Sequence, residues 1–439
     1  MVSLPLSYGN RGVSTMVKPS HILGLNARNS LYEPLNSKEA TRFGVSKLKA
    51  KIFLEKHGIT VAKLFARLSS IEEIHNFDWT QIGGTFVIKP ANGSAGKGVV
   101  VIKRKKKNEP VWFDLEDTEY QTSDLELHSH NILEGEYSTW GSQPVVIIEE
   151  RVPVHPDIEK YVEVGTPDVR VIVFNKIPVM AMIRIPTFKS GGRANLHQGA
   201  FALGIDMGTG ETTFGVSGGN QTFSLFPDSD IKTSGIIIPY WTDVLKTAVR
   251  AANATGFAYM GADIFLHPEK GPMVAELNRA PGLAIQLANR AGLKRRLQRV
   301  EEIEARSVSH AVKIAQSLFT ETISVQELEG DRTIVSPHEQ VLIYDDDEKT
   351  HEVEALLNTG RFRSAIGIQK AKELGLSAPS DLLWNQEIEG EGKLPVVEVK
   401  FKLKHRVVTT QMAVSKKLSA TKHDIEIGRN DLGGFLVGE

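Results

Sequence analysis

Residues 257–278, FAYMGADIFLHPEKGPMVAELN, carry the pattern that most constrains how this chain can fold. Two apolar segments, MGADIFL and PMVAELN, flank a polar turn rich in proline and glycine, which predicts an antiparallel hairpin. Because side chains alternate along a strand, Glu276 and Asn278 share one face, and Asp263 can lie opposite them. Two carboxylates and an amide oxygen on a rigid ladder suit Mg²⁺ shared with nucleotide phosphates. The alternative is a half-exposed hairpin with ordinary polar residues on its wet face.

The composition is that of an ordinary globular protein. With 439 residues the chain is long enough for two or three domains with buried cores. A formal net charge of −1 gives no overall attraction to nucleic acid or to an acidic membrane surface, so neither partner is expected. The lack of cysteine excludes disulfides and thiolate metal sites. Residues 1–20 lack a secretory signal pattern, and no run of about 18 apolar residues exists, so a cytoplasmic protein is expected.

Four segments with different patterns follow one another along the chain. Residues 1–45 are rich in Gly, Asn, Ser and Pro and predict an irregular lead-in. Residues 46–300 mix helical and strand patterns and predict an α/β domain. Residues 301–335 predict a charged helical linker, and residues 336–439 a second domain of all-β character. Helices are expected in the α/β domain at residues 123–140, 241–255 and 284–297.

A glycine-rich segment, ANGSAGKG at residues 91–98, lies between two predicted strands. It departs from a P-loop because Ala91 replaces the first glycine, Gly98 replaces the Ser or Thr, and a strand follows instead of a helix. A flexible loop between strands can instead fold over phosphates with its backbone N–H groups as donors, and Lys89 stands at its base. The small residues of this flap are Gly93, Ser94, Ala95 and Gly96. A plain surface hairpin is the alternative.

Five segments in a fixed order resemble the ATP-grasp ligases. They are FVIKPANGSAGKGVVVI, VVIIEERV, TPDVRVIVFNKIPVMAMIRIPT, GGRANLHQGA and GADIF…VAELNRAPGL. The phrases NLHQGA and LNRAPGLAIQLANRAGL are similar to the α-L-glutamate ligase-like branch, related to enzymes that add glutamate to the C-terminus of a ribosomal protein. The resemblance covers roughly residues 23–297 and implies an α/β (α+β) ATP-grasp fold.

The same resemblance implies a site for ATP and two Mg²⁺ ions, which Mn²⁺ could replace. Lys47 and Lys89 correspond to two lysines on the phosphates, although Ser46 stands where the family often has Asp. Glu276 corresponds to the carboxylate that bridges the two ions, with Asp263 and Asn278 as the other ligands. The remaining nucleotide contacts implied are Glu150 and Arg151 beside the adenine, Asp168 near the ribose, and Arg193 and Asn195 on a loop closing over the phosphates.

The chemistry of such a site calls for positive charge and not for a protein nucleophile. An ATP-grasp ligase transfers the γ-phosphoryl group to a carboxylate, and an amine then attacks the acyl phosphate, so positioning and charge neutralisation dominate. Arg170 shares a strand face with Asp168 and can point into the cleft. Arg184 is the candidate for stabilising the transferred phosphoryl group. For either arginine, a salt bridge at the surface is the alternative.

The C-terminal segment carries two motifs that resemble a retropepsin-like aspartic protease. EALLNTGRFRSAI resembles the active-site turn, and HDIEIGRNDLGGFLV resembles the element that packs behind it. Asn358 replaces the catalytic aspartate, and an amide cannot share a proton as an aspartic dyad does. Peptide binding or homodimerisation is therefore expected here, with a coincidental NTG turn as the alternative.

Together these patterns predict an ATP-dependent carboxylate–amine ligase that joins glutamate or another amino acid to a peptide or small molecule. A nucleotide-binding regulatory module without catalysis, or a peptide-binding or protease-like protein acting through its C-terminal domain, are the alternatives. The sequence does not identify the carboxylate or the amine.

Overall fold

The computed structural model describes residues 18–93, 96–137, 143–219, 221–320, 333–345, 347–388, 391–421, 423–433 and 435–438. Contacts divide these residues into two units, one ending at Phe319 and one formed by Thr320 and the described residues from 333 onward.

The first unit is a mixed α/β structure. Its helices are α1 (Leu25–Ala27), α2 (Lys38–Val45), α3 (Lys47–Lys56), α4 (Ile71–His75), α5 (Thr122–Leu133), α6 (Pro156–Glu159), α7 (Trp241–Thr255), α8 (Ile285–Ala288), α9 (Leu293–Val300) and α10 (Val308–Phe319). Its strands are β1 (Leu64–Leu68), β2 (Phe86–Pro90), β3 (Val100–Lys105), β4 (Val111–Asp114), β5 (Glu119–Gln121), β6 (Val146–Glu150), β7 (Asp168–Phe174), β8 (Ile177–Ile185), β9 (Phe201–Ile205), β10 (Thr212–Val216), β11 (Thr222–Phe223), β12 (Tyr259–His267) and β13 (Gly271–Asn278).

Two antiparallel sheets form the frame of this unit. The first has the order β1-β6-β2-β3-β4-β5, and its apolar face packs around Trp79, Phe86 and Trp112, all nearly or fully buried. The second has the order β11-β10-β9-β8-β7-β12-β13. Strands β7, β8 and β12 are almost wholly buried, as their continuous Val, Ile and Met runs require. The polar side chains on these central strands are therefore desolvated.

The predicted hairpin is confirmed as β12 and β13. Asp263 pairs with Glu276 and Gly261 with Asn278, and a bulge follows Asp263 because Ile264 pairs with Val274. A bulge changes the direction of nearby side chains, and this one lies next to the pair formed by Asp263 and Glu276. The two acidic side chains are therefore direct neighbours across the ladder.

The first unit is longer than the predicted α/β domain at both ends. Within the lead-in, buried Leu23 exchanges backbone hydrogen bonds with the Gln286 side chain, and Ser37 caps α2. At the other end, α10 packs against α7 and β8 through buried apolar residues and is not a free linker. The predicted helix 284–297 is two helices, because the chain breaks between α8 and α9, where Arg290 has a positive φ of 44°.

In its described residues the second unit is a β-barrel with a single α-helix, α11 (Ile368–Glu373). Its strands are β14 (Thr333–Val335), β15 (His338–Tyr344), β16 (Thr350–Asn358), β17 (Ala365–Gly367), β18 (Leu382–Ile388), β19 (Gly392–Leu403), β20 (Arg406–Ser415), β21 (Ile425–Gly428) and β22 (Phe435–Val437). The main sheet runs β15-β16-β21-β17-β20-β19-β18, and a further pairing of β15 with β19 closes it. The barrel has its own buried core, which includes Ile343, Phe401 and Met412.

The described helices include none that is both long and apolar enough to cross a membrane.

Candidate nucleotide and metal site

Four charged side chains from three adjacent strands form a buried network in the second sheet. Arg170 on β7 donates two hydrogen bonds to Asp263 on β12, at 2.7 and 2.8 Å. Arg184 on β8 donates to both oxygens of Asp168, each at 2.6 Å, and also to Asp263 Oδ2 at 2.7 Å. The Asn278 amide donates to the same Oδ2 at 3.0 Å. This network links both predicted catalytic arginines to a predicted metal ligand.

The strand register explains why these residues meet. Asp263 lies opposite Arg170, and Asp168 lies opposite Arg184, across antiparallel pairs. Directly opposed side chains have Cβ atoms within about 5.5 Å of each other, so the strand register alone brings each arginine within reach of its carboxylate. The arginines are therefore paired and largely shielded, with only 12% and 11% of their side chains exposed, so exposed surface salt bridges do not describe them.

The two carboxyl groups of this network have pKa values shifted in opposite directions, because burial and nearby charge act on them to different extents. Burial alone would raise the pKa of Asp263, but Arg170 and Arg184 lower it to about 2. Burial raises the pKa of Asp168 to about 6, against the opposing effect of Arg184. Burial would lower the pKa of Arg184, yet its two carboxylate neighbours raise it. Asp263 is thus the firmly ionised carboxylate of the pair.

The donor set fits a hard divalent cation. Asp263 Oδ1 accepts a hydrogen bond from Arg170 Nε, which leaves it capacity for a further ligand. Because Asn278 donates through its amide nitrogen, its carbonyl oxygen can face a cation. Glu276 is far more accessible than Asp263, with 36% of its side chain exposed against 4%. Such oxygen ligands are those that Mg²⁺ uses.

The first predicted phosphate lysine, Lys47 at the start of α3, lies beside this cluster. Lys47 Nζ lies 3.9 Å from Glu276 Oε2. The backbone N–H of Lys47 also bonds to the carbonyl of Ala91, at the start of the flap, at 3.3 Å. Ser46, which replaces the usual Asp, caps α3 by accepting from the Lys49 N–H at 3.4 Å. The substitution therefore keeps the helix start in place.

The second predicted lysine, Lys89, is held by a residue that sequence reasoning missed. Its ammonium group contacts Glu149 Oε1, while Lys51 Nζ lies 2.5 Å from Glu149 Oε2. Lys51 also donates to the Ala62 carbonyl at 2.6 Å. Burial alone would raise the pKa of Glu149, but the two lysines hold it below its usual value, and burial lowers the pKa of Lys51. The sequence alone does not single out Glu149, because β6 ends in two adjacent glutamates and only the first of them is buried.

Gly96 of the flap lies against the side chain of Arg193, on the other predicted phosphate loop. Gly96 has a φ of +71°, and a Cβ placed on it would lie 2.7 Å from the Cδ of Arg193. Asn195 accepts from the His197 N–H at 3.1 Å and so caps a short 3-10 turn. Gly93 lies at the start of the flap with Pro90 against it, whereas Ser94 and Ala95 fall outside the described residues. The flap backbone can therefore lie close to a guanidinium.

The predicted adenine hinge lies at the far end of β12. Glu150 contacts Lys270 and accepts from the Lys63 N–H at 3.0 Å, and His267 lies 3.8 Å from it. His267 is four residues beyond Asp263, or about 13 Å along the strand. The neighbouring Arg151 is partly buried, and burial lowers its pKa. Asp168, assigned to the ribose, lies with the metal cluster and not with this hinge.

A residue that holds the NRAPGL segment, residues 278–283, in place was also missed by sequence reasoning. Arg28, in the lead-in predicted to be irregular, donates to the carbonyls of Ala280 at 3.2 Å and Pro281 at 2.9 Å. The loop that follows Asn278 is thereby tied to the N-terminal part of the unit. No local sequence pattern marks a contact between residues about 250 positions apart.

The turn predicted to resemble a protease active site is formed in the barrel. Asn358 ends β16, lies beside Gly428 of β21, and accepts from the N–H groups of Gly360 and Arg361 at 3.0 and 3.2 Å. A Cβ on Gly428 would lie 2.7 Å from the backbone of Arg363, so the two motifs pack closely. The amide side chain serves here as a turn cap.

A family model described as sugar-transfer associated ATP-grasp matches residues 26–302, more than half of the chain.

Among solved structures, D-cycloserine synthetase DcsG is 15% identical with a TM-score of 0.32, covering 58% of this chain and 71% of that one. A D-alanine–D-alanine ligase from Bacillus anthracis bound to ATP is 15% identical with a TM-score of 0.34, covering 67% and 71%. The ATP-grasp ligase PsnB with a precursor variant, Mg and ADP is 18% identical with a TM-score of 0.33, covering 64% and 61%. The chain therefore spans less than two thirds of PsnB. No curated protein matches the sequence significantly.

Proposed function

The chain belongs to the sugar-transfer associated ATP-grasp family, and on that premise we propose that it is an ATP- and Mg²⁺-dependent carboxylate–amine ligase. The observation that carries the proposal is the meeting of Arg170 and Arg184 at Asp263, beside Glu276 and Asn278. Two guanidinium groups and three oxygen ligands at one place match the charge that a transferring phosphoryl group presents.

The proposed reaction has two steps. An oxygen of the substrate carboxylate attacks the γ-phosphorus of ATP, and the bond to ADP breaks. The amine nitrogen then attacks the acyl carbon, loses a proton and expels phosphate, which leaves an amide. Neither step needs a protein nucleophile, which agrees with a site made of cations and metal ligands.

Each part of the site has a distinct task in this proposal. Asp263, Glu276 and Asn278 would hold Mg²⁺, which supplies charge neutralisation on the phosphates when bound. Lys47 and Lys89 bind phosphate oxygens from the α3 and flap sides. Arg184 orients and stabilises the phosphoryl group in transfer, and Asp168 fixes the plane of its guanidinium through two hydrogen bonds.

Several finer assignments belong to the proposal. Glutamate or another amino acid joined to a peptide or small molecule is the proposed substrate class. Glu150 and Arg151 are proposed to face the adenine, and Arg193 and Asn195 to close over the phosphates. The barrel is proposed to be retropepsin-like and to bind a peptide or form a homodimer, not to cleave. The cytoplasmic location stays a prediction from the sequence.

The test is ADP release by the full chain with panels of amino acids and short peptides as carboxylate and amine, followed by mass spectrometry of the product.

Glu276→Gln should lower kcat at least 100-fold, because a metal ligand is lost. Asp243→Asn, an exposed carboxylate on α7, is the matched control and should leave kcat unchanged. ADP release unchanged in Glu276→Gln would contradict the site. ATP binding without ADP release from any pair would favour the regulatory module.

A further inference from the structure

Two histidines and a glutamate meet on the barrel, in the unit that the proposed ligase reaction does not use. Within the described part of the chain, His338, Glu354 and His423 form the one group of three such side chains whose ligand atoms all lie within 4.8 Å of one another. They come from neighbouring positions in the sheet. His338 opens β15, Glu354 lies in β16, and His423 stands two residues before β21.

The register brings these side chains to one patch. His338 pairs with Leu356 and Gln340 with Glu354, so His338 and Glu354 are diagonal neighbours across the antiparallel pair. Strand β21 runs on the other side of β16, where Ile425 pairs with Ala355. The His338 and His423 rings lie 4.7 Å apart with an interplanar angle of 33°.

One nitrogen in this patch is buried and unsatisfied. His423 Nδ1 is shielded from solvent and has no hydrogen-bond partner. It lies 3.7 Å from Glu354 Oε1, which is beyond hydrogen-bond distance. An unpaired buried polar atom is costly, so a ligand that bridges this gap would relieve the cost. Two ligand atoms about 2.1 Å from a tetrahedral Zn²⁺ lie roughly 3.4 Å apart, close to the observed separation.

We propose that His338, Glu354 and His423 bind a Zn²⁺ ion on the barrel. Two imidazoles and one carboxylate favour zinc over Mg²⁺ or Ca²⁺, which take oxygen ligands. Three protein ligands leave a fourth coordination position open to water or to a donor group of a bound peptide. The ion joins β15, β16 and the segment that enters β21, so its binding stabilises the barrel.

The test is zinc binding by the full chain, freed of metal by a chelator and then titrated with Zn²⁺ in the presence of excess Mg²⁺. The titration is done in a Glu276→Gln variant, which lacks a ligand of the proposed magnesium site. Zinc binding to the barrel can therefore be measured whether or not the ligase proposal is right. One zinc per chain is expected, bound at least tenfold more weakly in His338→Ala and in His423→Ala. Titration with Co²⁺ should give the visible absorption of a tetrahedral site.

His351→Ala is the matched control. His351 lies on the same strand as Glu354 and bonds to Asp345 at 2.6 Å, so its loss should leave zinc affinity unchanged. Added zinc should also raise the melting temperature of the control but not of the two ligand variants, which guards against variants that merely fold poorly. Zinc affinity equal in wild type and in the His338→Ala, His423→Ala double variant would overturn the site and leave ring stacking as the explanation.

Discussion

At the scale of single residues, the cleft depends on charges that are buried in pairs. Glu149 on the first sheet pairs with Lys51 of α3 and Lys89 of β2, and Asp263 on the second sheet pairs with two arginines. A buried ion pair adds little net stability over an apolar pair, but removing one partner leaves the other charge uncompensated. These residues therefore fix geometry, and each is sensitive to loss of its partner.

Glu149→Gln tests this at the nucleotide lysines. The neutral amide leaves both lysines without a counter-charge, so the free energy of unfolding should fall by about 3 kcal/mol, measured by urea denaturation. Glu150→Gln on the same strand is the matched control. Its partner Lys270 is far more exposed, so the change should cost under about 1 kcal/mol. Equal losses in the two variants would show that burial does not set the cost.

The same pair gives a pH dependence with a defined sign. The lysines hold the pKa of Glu149 below its usual 4.5. Since the folded state then binds fewer protons than the unfolded state, the contribution is fully present above pH 4.5 and is lost as pH falls through the folded pKa. The stability difference between wild type and Glu149→Gln should therefore shrink below pH 4.5. A constant difference from pH 7 to pH 3 would contradict the ion pair.

At the scale of elements, Gly96 of the flap lies against Arg193, and under the proposed function these two loops close over the phosphates together. The flap joins β2 to β3, and Gly96 reaches the side chain of Arg193 with a backbone conformation that an L-residue adopts at a cost. Closing over phosphates needs N–H groups that approach a ligand without a Cβ in the way.

Gly96→Ala should therefore weaken ATP binding. The added Cβ meets Arg193 and strains the backbone, and we expect the KM for ATP to rise roughly 5- to 10-fold, or about 1.0 to 1.4 kcal/mol. Gly58→Ala is the control, since Gly58 has a φ of +69° with nothing within 4 Å of an added Cβ. It should lower stability by about 1 kcal/mol and leave the KM for ATP unchanged. A similar rise of KM in both variants would point to general destabilisation.

The elements also show how far sequence reasoning reaches. The hairpin of β12 and β13 was predictable because strict alternation fixes which side chains share a face, and the register then placed Asp263 against Glu276. The break between α8 and α9 was not predictable, because the helical spacing of apolar residues continues through it. Lys51 and Glu149 escaped because charged residues are usually exposed, and only the tertiary structure shows that these two are buried.

At the scale of the whole molecule, the two units each have a core of their own. Phe86 lies in the core beneath the first sheet and Phe401 in the core of the barrel, and neither has any exposed surface. Units with separate cores unfold as separate cooperative transitions unless an interface couples them.

We therefore expect two calorimetric transitions that respond to different changes. Phe401→Ala leaves a cavity in the barrel and should destabilise that unit by about 3 to 5 kcal/mol, while the other transition and ATP binding stay as in wild type. Phe86→Ala should do the reverse. Saturating Mg²⁺–ATP should raise the transition that Phe86→Ala lowers, because a ligand stabilises the unit that binds it. A single transition that shifts with both substitutions would show instead that the barrel and the ATP-grasp unit fold as one body.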